Sequence, residues 1–186
     1  EIVIPQLIDR GFADEYEKEY ICKDGHHLPI TVNGHALKNE AGQLTGFWGY
    51  VRNIAGRKNM ESYLCKLSAA VEQSPSAILI TNTKGIVEYV NARYQETMGV
   101  RVQDVVGSCA PILNPKDYVD VDTASVWKDI VEGVEWRSEV YSEREDGSWL
   151  WEYVSISPIR SNGKDITHFL IVKEDLTRNK EYERVI

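Results

Sequence analysis

Residues 136–177 read WRSEVYSEREDGSWLWEYVSISPIRSNGKDITHFLIVKEDLT, and this stretch decides the fold. Aromatic and β-branched side chains alternate with polar ones in three runs, the pattern of consecutive antiparallel strands. Glu145-Asp146-Gly147 predicts a tight hairpin turn between the first two runs, since Asp and Gly tolerate the positive φ angles of two-residue loops. Ser161-Asn162-Gly163-Lys164-Asp165 predicts a longer polar connection, after which Ile166 to Lys173 resumes the strand pattern. Leu150, Val154 and Ile156 fall on one face, and Trp149, Trp151 and Tyr153 on the other, so each face needs a cover.

Working outward, the chain has 186 residues, 42% of them hydrophobic and 10% aromatic, which is enough for a packed core. The formal net charge of −8, with no cluster of Lys and Arg, argues against a nucleic-acid surface and against contact with an anionic membrane. No apolar run approaches the roughly 20 residues that span a bilayer, and no basic segment leads into an apolar one at the start, so a cytoplasmic location is expected. Cys22, Cys65 and Cys109 are odd in number, far apart and without metal-ligand spacing. They are expected to be reduced thiols, with no metal site.

Compared with itself, the chain repeats. Tyr20-Ile-Cys-Lys-Asp-Gly25 matches Ser142-Glu-Arg-Glu-Asp-Gly147, and residues 46–58 lie on residues 168–180. The step from Gly25 to Gly147 equals the step from Lys58 to Lys180, and one shared offset marks a duplication. On that offset residues 1–56 are expected to correspond to the back half of the first copy. Residues 1–12 correspond to the end of a connecting helix, and residues 13–55 to a three-stranded meander turned at Asp24-Gly25 and around Ala41-Gly42.

Between the copies, Met60, Leu64, Leu67 and Val71 recur at helical spacing and predict a linker helix over residues 57–73. That seam suits either packing on its own domain or a short parallel coiled coil with a second chain. Ser74-Pro75-Ser76 ends the helix. Residues 77–81 and 86–90 read as two short strands joined by Asn82-Thr83-Lys84-Gly85, and Asn91 as the cap of a helix over residues 92–98 whose Tyr94 and Met98 point inward. Short helical turns at residues 102–106 and 111–113 follow, then a helix over residues 116–132 with Val119, Val126, Ile130 and Val131 on one face. The order β-β-α-α-α-β-β-β predicts an α+β domain, a five-stranded antiparallel sheet with helices across one face.

With that order, residues 70–94 resemble the front half of a PAS domain, Lys173-Glu-Asp-Leu-Thr177 resembles the closing Asp-Ile-Thr signature of the family, and the preceding meander resembles its PAC part. The first copy has Asn53 where the signature has Asp. The resemblance implies a tandem PAS/PAC sensor region: the PAC half of a first domain over residues 1–56, the linker over 57–73, a complete PAS domain over 74–178, and the start of an output helix over 179–186. It further implies a bacterial signalling protein whose output domain, a histidine kinase or diguanylate cyclase, follows. The stretch itself carries no kinase nucleotide loop, phosphoacceptor-histidine helix or cyclase turn and is expected to be non-catalytic.

In the PAS family the ligand cavity lies between the inner sheet face and the helices. Alternation combined with that resemblance gives Leu79 and Thr81; Trp136, Ser138, Val140 and Ser142; Glu152, Val154 and Ile156; Phe169, Ile171 and Lys173; with Tyr94 facing them from the helix. Glu152 and Lys173 are charged and inward, so they either pair with each other or meet a polar ligand. Cysteinyl-flavin photochemistry is disfavoured, because Gly107-Ser-Cys109-Ala110 lacks the flanking Asn and Arg of the blue-light motif. Haem is disfavoured as well, since no histidine lies in residues 116–132. Non-covalent FAD finds support in Trp136, which resembles a flavin-packing aromatic of redox-sensing members. The cofactor is thus none, a small metabolite, or FAD. The functions in play are a sensory relay module, an FAD-binding redox sensor, and a ligand-free structural module, with a homodimer expected through the linker helix.

Overall fold

The computed structural model describes residues 3–110, 121–143, 146–177 and 180. The chain divides into two compact units, Glu1–Leu67 and Ser68–Ile186.

The first unit opens with helix α1 (Val3–Arg10), followed by strands β1 (Phe12–Ile21), β2 (His27–Lys38) and β3 (Leu44–Asn53) in an antiparallel sheet of order β1-β2-β3. Leu7 of α1 is buried over β2, where Gly34 offers no Cβ to hold it off. Ala13 and Ile30 are also buried, whereas Phe47, Trp48 and Tyr50 stand in solvent and Val32 is half-buried. Trp48 stacks on His35 across the β2–β3 pair, with ring centroids 4.5 Å apart. Helix α2 (Ala55–Glu72) begins where Asn53 Oδ1 accepts the Ala55 amide at 2.8 Å, and it buries none of its residues.

In the second unit β4 (Ala77–Asn82), β5 (Val87–Val90), β6 (Trp136–Glu143), β7 (Trp149–Ser161) and β8 (Asp165–Asp175) form one antiparallel sheet of order β5-β4-β8-β7-β6. The two leading strands therefore join the meander at β8, as the element order predicts. Helix α3 (Ala92–Met98) is capped by Asn91 and stopped by Gly99 at φ 75°, a left-handed conformation that glycine adopts without a Cβ clash. Helices α4 (Val102–Val105) and α5 (Thr123–Val131) follow, and Asp122 caps the latter through the Ser125 amide. Tyr94, Met98, Val105, Val126 and Ile130 close over Leu79, Val140, Val154, Ile156, Phe169 and Ile171 to make one core.

Three expectations need correction or completion. The tight turn is not the one at Asp146-Gly147: Glu143 pairs with Trp149, which leaves a five-residue connection there. The tighter connection is the one at Asn162-Gly163: Ser161 pairs with Asp165, which leaves three residues between the strands, with Asn162 and Gly163 both at positive φ and the Lys164 amide donating to Ser161 O. Val131 does not join the inward face; it is the last residue of α5 and lies in solvent. The turn expected at residues 111–113 and the helix stretch of residues 116–120, with Val119, lie outside the described residues.

Candidate functional site

Strand β8 runs through the middle of the sheet and presents Phe169, Ile171 and Lys173 to the helices, so it sets the floor of the site. Leu79 and Thr81 flank them on β4, and Glu152, Val154 and Ile156 on β7. Together with Tyr94 and Val140, all of these are buried. Trp136 and Ser138 are half-buried; Trp136 packs against the edge of the core, and the Ser138 hydroxyl donates to Glu139 O at 3.2 Å. Ser142 pairs with Leu150 through its backbone, and its side chain lies outside the described set. Trp127 meets Phe169 edge-on at 5.3 Å.

The two inward charges find each other. Lys173 Nζ donates to Glu152 Oε2 at 2.6 Å, with the two side chains 3% and 0% exposed, and Met98 Sδ lies 3.8 Å from the same ammonium. Taking two charges out of water costs several kcal/mol each, and their close contact offsets part of it. Thr81 Oγ1 is buried without a hydrogen-bond partner among the described residues.

Of the residues expected at the site, Lys173 also lines an open cleft. A space of about 310 Å³ is walled by Pro75, Ser76, Ala77, Arg93, Thr97, Lys173, Glu174 and Asp175. Arg93, Thr97 and Asp175 also border a cleft of about 610 Å³ together with Glu96, Met98, Gly99 and Asp146. Sequence reasoning missed Arg93, Thr97 and Asp175. The i, i+4 spacing of Arg93 and Thr97 on the face of α3 beside Tyr94 was the available signal.

Both ends of the domain are tied to this floor. At the exit, the Leu176 amide donates to Trp151 O at 2.8 Å, the Trp151 amide to Thr177 Oγ1 at 3.2 Å, and the Thr177 amide to Asp175 Oδ1 at 2.8 Å. At the entrance, Asn91 Oδ1 accepts from the Ile78 and Tyr94 amides, while its Nδ2 donates to Val71 O and Ser76 O, each at 3.0 Å. Glu72 accepts from the Tyr89 hydroxyl and, at 3.0 Å, from the Ala92 amide. Burial, followed by the bond to the Glu72 carboxylate, pushes the Tyr89 phenol up to about 12.

In the first unit, Glu17 meets Lys58 at 2.6 Å and also Arg57, and these bonds hold its carboxyl below the usual value. None of the four histidines is buried, and Cys109 is exposed in a bridge to Ile86 rather than on a helix. The β1–β2 turn brings Cys22, Asp24 and His26 together, their ligand-capable atoms all within 4.8 Å of one another. A search for cysteine pairs does not see this juxtaposition.

The family profile described as the PAS fold matches residues 65–176. The chain belongs to the PAS family. A second PAS domain profile matches residues 2–55. Among curated relatives, the high affinity cAMP-specific and IBMX-insensitive 3′,5′-cyclic phosphodiesterase 8A of Mus musculus is 27% identical over 61% of this chain and 14% of its own length. The bacterioopsin transcriptional activator of Halobacterium salinarum is 25% identical over 58% of this chain and 16% of its own length. This PAS chain thus spans only a small part of those relatives. The crystal structure of the PAS domain of an HTR-like protein from Haloarcula marismortui superposes with a TM-score of 0.52 at 23% identity, covering 64% of this chain and 97% of that one. PAS domains are regulatory rather than catalytic, and the present one is a sensory signalling module. Among the described residues no helix is long and apolar enough to cross a membrane.

Proposed function

We propose that the second unit senses a small polar molecule in the cleft between α3 and β8 and relays its presence to an output domain of a cytoplasmic bacterial signalling protein. A histidine kinase or a diguanylate cyclase following the chain is the output this reading favours. One observation carries it: Lys173 is among the residues that wall the cleft, and its buried ammonium holds the carboxylate of Glu152. Glu152 adjoins Trp151 on β7, and Lys173 lies two residues before Asp175 on β8. Trp151 and Asp175 make the backbone-directed bonds that secure the exit. A ligand that draws on the Lys173 ammonium changes what Glu152 must bond to, and the exit bonds lie one and two residues further along the same strands.

Freshly purified protein should carry or take up a small molecule, seen as added mass in native mass spectrometry. Lys173→Met should lose that mass, and ligand removal should speed hydrogen exchange at the Leu176 amide. An oxidised-flavin absorption spectrum would move the reading to an FAD redox sensor. Neither added mass nor colour, with exchange at Leu176 unaltered across conditions, would leave a ligand-free structural module.

The linker supplies the second part of the proposal, a homodimer. Met60, Leu64 and Leu67 stand in solvent on a helix that buries none of its residues, at the spacing of a coiled-coil seam.

A further inference from the structure

The β1–β2 hairpin turns through a loop with one glycine at positive φ. The Cys22 amide donates to His26 O and the Gly25 amide to Cys22 O, both at 2.9 Å, with Gly25 at φ 83°. Cys22 and His26 therefore face each other across the closing pair of the hairpin and share a side of the ribbon. Asp24 sits at the tip and folds back to that side, its Oδ1 accepting the His26 amide at 3.2 Å and lying 2.6 Å from His26 Nδ1. His27 points the other way and is engaged by Glu19 at 2.9 Å.

We propose that Cys22, Asp24 and His26 form a surface binding site for a divalent cation of the zinc class. Thiolate, imidazole and carboxylate are the donors a borderline-soft ion takes, whereas magnesium and calcium select oxygen alone. Ligands at about 2.0–2.3 Å from a tetrahedral ion stand roughly 3.5 Å from one another. The three donor atoms already lie within 4.8 Å on a hydrogen-bonded backbone, so rotation of the exposed Asp24 and His26 side chains toward the half-buried Cys22 completes the set. The fourth position faces solvent and takes water. On binding, Cys22 gives up its thiol proton to solvent and coordinates as thiolate.

The duplication shows that the turn does not need these donors in order to fold. At the shared offset the second copy keeps Asp146-Gly147 but has Arg144 and Ser148 where the first has Cys22 and His26. Asp and Gly belong to the hairpin; Cys and His are additional to it.

The test is a titration of the reduced full chain with cobalt(II), in a Cys65→Ser, Cys109→Ser background that leaves Cys22 as the one thiol. The expected result is a one-to-one complex with a thiolate-to-cobalt charge-transfer band, displaced by zinc and not by magnesium. Cys22→Ser should abolish the band. His26→Gln should weaken binding by about tenfold or more, as should Asp24→Asn, which still accepts the His26 amide and so separates ligation from turn geometry. No charge-transfer band, a band that survives Cys22→Ser, or equal affinity in His26→Gln would overturn the site. Unchanged far-UV circular dichroism in each variant confirms that the hairpin is intact.

Discussion

At the scale of the residue, the Lys173–Glu152 pair is the least economical feature of the core. The same duplication puts Ile30 and Val51 at these positions in the first unit, so a meander of this design forms with apolar side chains there. The pair is therefore not a requirement of the sheet, and its net contribution to stability should be small even though each partner depends on the other. Glu152→Leu alone or Lys173→Met alone should cost about 3–5 kcal/mol in urea unfolding, because each leaves a buried charge without its ion-pair partner. The double variant should recover most of that loss. Additive losses in the cycle would mean that the two groups do not interact. That both fall on one face of neighbouring strands was legible in the sequence from the period-two pattern, with the family resemblance choosing the inward face; the pattern alone does not decide whether they pair or meet a ligand. That Lys173 would also line a cleft was not legible, since the other wall, at Pro75, Arg93 and Thr97, arrives from elements distant in sequence.

At the scale of the element, the end of α2 and the start of α3 are fastened by polar side chains rather than by apolar packing. Asn91 is fully buried with both ends of its amide satisfied, and Glu72 bonds the Tyr89 hydroxyl and the first amide of α3. The capping role of Asn91 was readable from its place before an amphipathic turn. The Glu72–Tyr89 bond was not, because a helix end and a strand seventeen residues apart meet only once the sheet has formed. Turn type was equally hidden: Asp-Gly and Asn-Gly both signal hairpins, and strand register decided which became the shorter, three-residue loop. The Tyr89 bond carries a pH signature. A phenol raised from 10 to about 12 in the folded chain holds its proton more tightly than the unfolded chain does, so its contribution is complete below pH 10 and is lost as pH rises toward 12. One such proton sets a ceiling of about 1.4 kcal/mol per pH unit, reduced by solvent at this half-buried ring. Tyr89→Phe should lose stability less steeply than the parent between pH 10 and 12 in chemical unfolding. Parallel curves would show that the phenol is not coupled to folding.

At the scale of the whole molecule, the two units make the same meander and treat its inner face differently. Phe47 and Phe169 occupy equivalent positions, yet Phe47 is 52% exposed while Phe169 is 1% exposed beneath the helices of its own unit. With Trp48 and Tyr50 exposed as well, the first sheet carries the kind of apolar surface that marks an interaction site. On α2, Met60, Leu64 and Leu67 are each about half-exposed or more. Their four-and-three spacing puts them on one stripe of the helix, and a second copy of the same stripe is its natural complement in a parallel pair. Dimerisation through α2 would remove this stripe from water, and each buried leucine contributes roughly 1.5–3 kcal/mol. A pair of carboxylates placed on the seam would have to be buried facing their copies, which opposes association strongly. Sedimentation velocity of the parent chain at micromolar concentration should therefore give a dimer, and Leu64→Glu with Leu67→Glu should give a folded monomer with unchanged far-UV circular dichroism, since both positions lie in solvent within one chain. A monomeric parent, or a dimer indifferent to the two glutamates, would put the interface elsewhere.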